Sequence, residues 1–142
     1  MVDIIAHFIF SLLIGFTFWK IFEGKQKKIL FLCLFFSLLS GFFIDVDHLF
    51  DYYKMYGFSW NFQLFIAEDY FTKTNYVLFH GYEYVFILGL IAFFVENRIK
   101  RLFFTILAAS LFIHLVIDII IAQSPIQNYF IIYRLLHGFS IY

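Results

Sequence analysis

Histidines and carboxylates recur in this chain at helical spacing. His114 and Asp118 stand four residues apart, His80 and Glu83 three apart, and Asp45 and His48 three apart, with Asp47 between the last two and His7 near the start. Residues three or four apart share a helix face, so each pair would present an imidazole beside a carboxylate. Asp47 falls off the face of Asp45 and His48 if the helix is regular, and the spacing predicts that the chain loosens there. Mixed imidazole and carboxylate ligands suit zinc, iron or manganese better than calcium or magnesium alone. A cluster of such metals can make hydroxide at neutral pH and polarise a phosphoryl or ester oxygen, and hydrolysis is the simplest chemistry it could do.

The elements that must position these residues are membrane helices. Of 142 residues, 63% are hydrophobic, 25% aromatic and only 14% charged, and the mean hydropathy is +0.88. A soluble domain could not hide that much apolar surface. Apolar stretches over 4–22, 29–43, 76–95 and 102–122 approach the ~20 residues a helix needs to cross a bilayer. The expectation is one all-α domain over 1–142, an integral membrane bundle of about four transmembrane helices, with interfacial segments over 51–75 and 126–142. The first stretch carries Asp3 ahead of it and its basic cluster behind, so it reads as a retained helix rather than a cleaved signal peptide.

Lys20, Lys25, Lys27 and Lys28 fill the first connection, and Arg98, Lys100 and Arg101 the third. Short basic connections stay cytoplasmic, which puts the N-terminus and the long connection on the opposite side of a cell (inner) membrane. Measured from those basic residues at ~1.5 Å per residue, His7, Asp45, His80, Glu83, His114 and Asp118 all lie ~20–27 Å along their helices, in one layer near the outer interface. Asp45, Asp47, Glu83 and Asp118 would set four negative charges in that poorly hydrated layer, where bare carboxylates protonate or disrupt packing. Two divalent cations would cancel them. The expected ligands are His7, Asp45, Asp47, His48, His80, Glu83, His114 and Asp118, with Asp47 or Glu83 as general base if spared from direct ligation.

Zero formal net charge excludes a general nucleic-acid partner, and the sole cysteine, Cys33, supports neither a disulfide framework nor a thiolate site. The 24 phenylalanines and 10 tyrosines reflect lipid contact and helix packing, and Ser11, Gly15, Ser37, Ser40 and Gly41 let helices approach closely. Arg134 and His137 interrupt the apolar residues of 126–142 and read as headgroup-facing, on a short amphipathic helix folded over the outer face.

At Ala6-His7-Phe8-Ile9-Phe10-Ser11, Asp45-Val46-Asp47-His48, the His80 segment and His114-Leu115-Val116-Ile117-Asp118, the chain resembles the YdjM-like family of inner-membrane, metal-dependent hydrolases, itself thought related to the zinc-dependent phospholipase C and P1 nuclease group. The resemblance implies metal ligation by His7, Asp45, Asp47, His48, His80, His114 and Asp118, with zinc the expected metal and a phospholipid-like substrate among membrane lipids. Two departures are visible. The family's third element often reads His-Arg-Gly followed by Thr-His-Ser, where this chain has His80-Gly81-Tyr82-Glu83, and the Thr-Pro-x-Gly that often follows the fourth element is absent.

Other readings of the same residues are a small metal-ion or proton transporter, since membrane carboxylates and histidines also build relays, and a non-catalytic membrane partner that keeps metal for stability. A transporter should carry polar residues through its full depth, whereas the cytoplasmic halves of these spans are almost wholly apolar.

Overall fold

The structure is a computed structural model that describes residues 2–23, 26–58, 61, 63, 77–123 and 125–139. Among these, every regular element is helical. Helix α1 spans Val2–Glu23 and ends with Lys20 in its last turn, where a cation suits the negative end of the helix dipole. Helix α2 spans Lys27–Gly41, passes into a 3₁₀ turn over Phe43–Asp47, and continues as α3, His48–Tyr56. Gly57, at φ +69°, stops α3, its N–H bonding the Tyr53 carbonyl at 2.9 Å. Helix α4 spans Tyr82–Phe94 and α5 Arg98–Ala122. Asn97 starts α5 by accepting hydrogen bonds from the Ile99 and Lys100 amides at 3.1 Å each. After Pro125 a 3₁₀ turn over Ile126–Tyr129 leads into the short α6, Ile131–Leu136.

Three helical stretches, Ile5–Phe22, Lys27–Tyr56 and Arg98–Ile121, are long and apolar enough to cross a membrane. Helix α4, with 13 residues, covers only ~20 Å of a hydrocarbon core ~30 Å thick. The span expected over 76–95 therefore narrows to a helix from Tyr82, because 77–81 is not helical. The interfacial segment expected over 51–75 begins as the last turns of α3, and 64–75 lies outside the described residues.

Helices α1, α2 and α5 pack against one another, and α4 lies along α5. Small residues make that approach close. A Cβ on Gly15 would sit 3.0 Å from the Leu34 Cα, and one on Gly41 would collide with the Ser11 hydroxyl. The Ser37 hydroxyl donates to the Ser11 carbonyl and meets the Ser110 hydroxyl at 2.9 Å, tying the three helices through buried polar atoms. Below this seam Ile29, Cys33, Leu102 and Ile106 form an apolar core, flanked by Phe18, Trp19, Phe22 and Phe36. Above it Leu111, Leu115 and Tyr129 form another, flanked by Tyr82 and Leu88. Outward residues such as Phe31, Phe86, Phe93 and Phe94 are two-thirds or more exposed, an apolar surface consistent with a membrane protein.

Candidate metal centre

Four separate pieces of chain deliver ionisable side chains to the end of the bundle above the serine seam. Helix α1 brings His7, α5 brings His114 and Asp118, the 3₁₀ turn and the start of α3 bring Asp45, Asp47 and His48, and the non-helical stretch 77–81 brings His80. The tightened winding at Phe43–Asp47 answers the misfit of Asp47 in a regular α-helix. Near three residues per turn, the register shifts enough for Asp45, Asp47 and His48 all to reach the cluster.

The contacts interlock. Asp118 meets His7 Nε2 at 3.0 Å through Oδ1 and His114 Nε2 at 3.2 Å through Oδ2. Asp45 Oδ1 lies 3.2 Å from His80 Nε2, 3.3 Å from His114 Nε2 and 3.4 Å from His48 Nε2. Asp47 Oδ1 lies 3.0 Å from His80 Nδ1, while its Oδ2 accepts from the Phe79 amide at 2.7 Å. The Nε2 atoms of His80 and His114 face each other at 2.9 Å. His114 Nδ1 stands 3.3 Å from the Gly41 carbonyl, a partner that fixes the proton on Nδ1 and leaves Nε2 as a ligand.

Among the described residues three groups could each hold a metal ion: His7, His114 and Asp118; Asp45, His80 and His114; and Asp47, His48 and His80. Within each, the ligand atoms all lie within 4.8 Å of one another. Two ligands on one tetrahedral zinc, at bond lengths of ~2.0–2.1 Å, stand ~3.3 Å apart. The nitrogen to oxygen separations above bracket that value. The same separations suit an imidazole N–H donated to a carboxylate, so the array is fitted to hold a metal and is also paired as it stands. His114 belongs to the first two groups and His80 to the last two, so these rings join the three into one array.

Burial is graded across it. His7, His80, His114 and Asp47 are at most 3% exposed, while the side chains of Asp118, His48 and Asp45 are 13%, 20% and 30% exposed. The last three form the exposed rim of the array.

Glu83 belongs to none of the three groups. Its Oε1 accepts from the Ile132 amide at 3.1 Å, and the residue lines an apolar groove of about 1130 Å³ between α4, α5 and α6. Phe112, Val116 and Ile120 line the same groove, ~160° around α5 from His114 and Asp118. Groove and ligands thus use different faces of that helix, and three carboxylates rather than four enter the array.

The reading of Arg134 as headgroup-facing is corrected. It is 2% exposed and donates through Nη1 to the Val77 carbonyl and through Nη2 to the His80 carbonyl at 2.8 Å. Burial lowers its pKa from the usual value, and the charges of Asp47, Glu83 and Asp51 oppose that shift. His137, by contrast, is exposed and stacks on Tyr133 at 4.1 Å. Asp51, 2% exposed, is a second buried charge that the motifs did not pick out. Its spacing of four from Asp47 was the available signal.

No protein-family model, curated protein or solved structure matches the chain.

Proposed function

We propose that this protein is a membrane-embedded, metal-dependent hydrolase whose array lies at the non-cytoplasmic headgroup layer and acts on a phosphoester or another lipid-borne bond. The observation that carries the reading is the convergence of seven imidazole and carboxylate side chains, from four pieces of chain, at ligand spacing and at one end of an apolar bundle. Divalent cations held there, zinc foremost and two or more in number, would supply hydroxide at neutral pH and a Lewis acid for the bond to be cleaved. Asp47 is engaged at both oxygens and reads as a ligand. Asp45, the most exposed carboxylate of the array, is better placed to take a proton from water at the rim. The ordered motifs that resemble the YdjM-like hydrolases support the same reading.

In this proposal the bundle has four crossings, the third formed by 77–81 and α4 together. Residues 77–81, which bend at 78 and 79, would supply the remaining ~10 Å of the core. Irregular backbone at membrane depth is tolerated where protein buries it, and Val77, His80 and Gly81 are buried. The basic residues Lys20, Lys28, Arg98 and Arg101 then face the cytoplasm. Transport is disfavoured because the apolar core of Ile29, Cys33, Leu102 and Ile106 closes the basic end.

Metal content of the detergent-purified protein tests the centre. Bound metal is expected, falling in Asp118→Ala, which breaks one of the three groups, and further in His114→Ala, which breaks two, and a metal-free wild type sinks the claim. Hydrolysis is tested on phospholipid vesicles, with Asp47→Asn expected to be inactive. Metal held tightly without turnover, alongside a co-purifying protein, would favour the non-catalytic partner.

A further inference from the structure

His80 is the only member of the array that does not stand on a helix, and its placement has to come from somewhere else. The Phe79 and Gly81 carbonyls accept from the Gly81 and Tyr84 amides, which leaves the carbonyls of the buried Val77 and His80 to be satisfied from outside the stretch, and a buried carbonyl without a partner is costly. Segment 126–139 supplies what is missing. Arg134 reaches from α6 to the Val77 and His80 carbonyls with the two ends of one guanidinium. The same helix closes on this stretch at two further points. Ile131 packs so tightly on Gly81 that a Cβ there would lie 2.7 Å from its side chain, and the Ile132 amide donates to Glu83. Tyr129, 6% exposed, anchors the segment among Leu111 and Leu115.

We infer that α6 is a clasp and Arg134 a positioning residue, which holds the backbone of 77–80 so that the His80 ring stands between Asp45 and Asp47. The guanidinium suits this place because its planar fork spans two carbonyls at fixed geometry. Its charge is balanced by Asp47, Asp51 and Glu83 around it. Lysine at the same position keeps the charge but, as a point donor on a flexible stem, cannot hold both carbonyls in register. The inference rests on the metal reading in that the residue positioned is a ligand, and it divides the array. Two groups contain His80, whereas the group of His7, His114 and Asp118 does not.

The test uses the full chain in detergent as wild type, Arg134→Lys and His137→Ala, titrated with zinc by calorimetry. Amide exchange of 77–82 is followed by mass spectrometry on the metal-free forms. In Arg134→Lys, zinc at the groups that use His80 is expected to weaken about 10–100-fold, the size typical of a lost partner that orients a ligand. Zinc at His7, His114 and Asp118 persists, so uptake falls without vanishing. Exchange rises at 77–82 and not in α5, and His137→Ala behaves as wild type. Unchanged zinc binding in Arg134→Lys overturns the inference, whether or not exchange rises. So does loss of all zinc with faster exchange throughout the bundle, which marks Arg134 as a determinant of the fold alone. If the wild type takes up no zinc, the metal reading fails by itself and exchange decides the clasp. A rise confined to 77–82 upholds it, and no rise ends it.

Discussion

The end of the bundle that carries Lys28, Arg98 and Arg101 and the end that carries His80 and His114 are both tightly packed, by opposite chemistries. At the basic end Ile29, Cys33, Leu102 and Ile106 fit against Phe18, Trp19, Phe22 and Phe36, and the charges stay outside, Arg98 lying over the Phe22 ring at 4.4 Å. At the other end His7, Asp47, Asp51, His80, His114 and Arg134 are buried. Dispersion holds the first region, and it should tolerate a change of residue that keeps the volume. The second is held by paired charges and directed hydrogen bonds, where a change of one group strands its partners. A protein that only needed to sit in a membrane could have been built like the first end throughout.

His114→Ala should break the contrast most severely. It removes a ring shared by two of the three groups and takes one partner each from Asp45 and Asp118, so metal content falls and stability drops by up to about 3–5 kcal/mol, the cost of breaking a buried ion pair. Metal analysis and thermal unfolding in detergent read both effects. Ile106→Ala, at 1% exposure in the other core, should cost about 2–4 kcal/mol by leaving a cavity. Metal content per folded molecule should not change, and a variant that loses metal would show that the two ends are not independent.

Asp47→Asn keeps an acceptor for the Phe79 amide but removes a charged ligand, so metal at the group with His48 and His80 should weaken by more than the about 10–100-fold typical of an outer-shell partner, with little loss of fold. Calorimetric titration decides it, and equal affinity would place Asp47 outside the array. Ser37→Ala cuts the seam between the two regions and should cost about 0.6 kcal/mol, the typical size of an interhelical hydrogen bond in a membrane. A loss several times larger, measured by unfolding in mixed micelles, would make the seam a principal support of the metal end. Phe93→Ala, on a side chain 77% exposed, should change stability by no more than about 0.5 kcal/mol.

Much of this contrast could be read from residue order. Apolar length marks the three long helical stretches, and distance along each helix from its basic end sets His7, Asp45, His114 and Asp118 at a common depth. These quantities need only a constant rise per residue, which is why the sequence alone determines them. Helix α4 is shorter than its apolar stretch because His80 and Gly81 find partners in Asp47 and α6 rather than in a helix turn. Glu83 shares a helix face with His80 only if that helix continues to His80, and it does not.

Arg134 marks the same boundary. In the sequence it is a cation amid isoleucine and leucine near an interface, a setting that fits an exposed side chain. Only the tertiary structure shows two carbonyls and three carboxylates around it, from parts of the chain as far away as Asp47. The sequence alone determines which side chains reach the polar layer, because depth follows from helical rise. Which of them face one another is decided by the 3₁₀ turn at Phe43–Asp47, the broken start of α4 and the clasp of α6. Each of those depends on partners that local spacing does not encode.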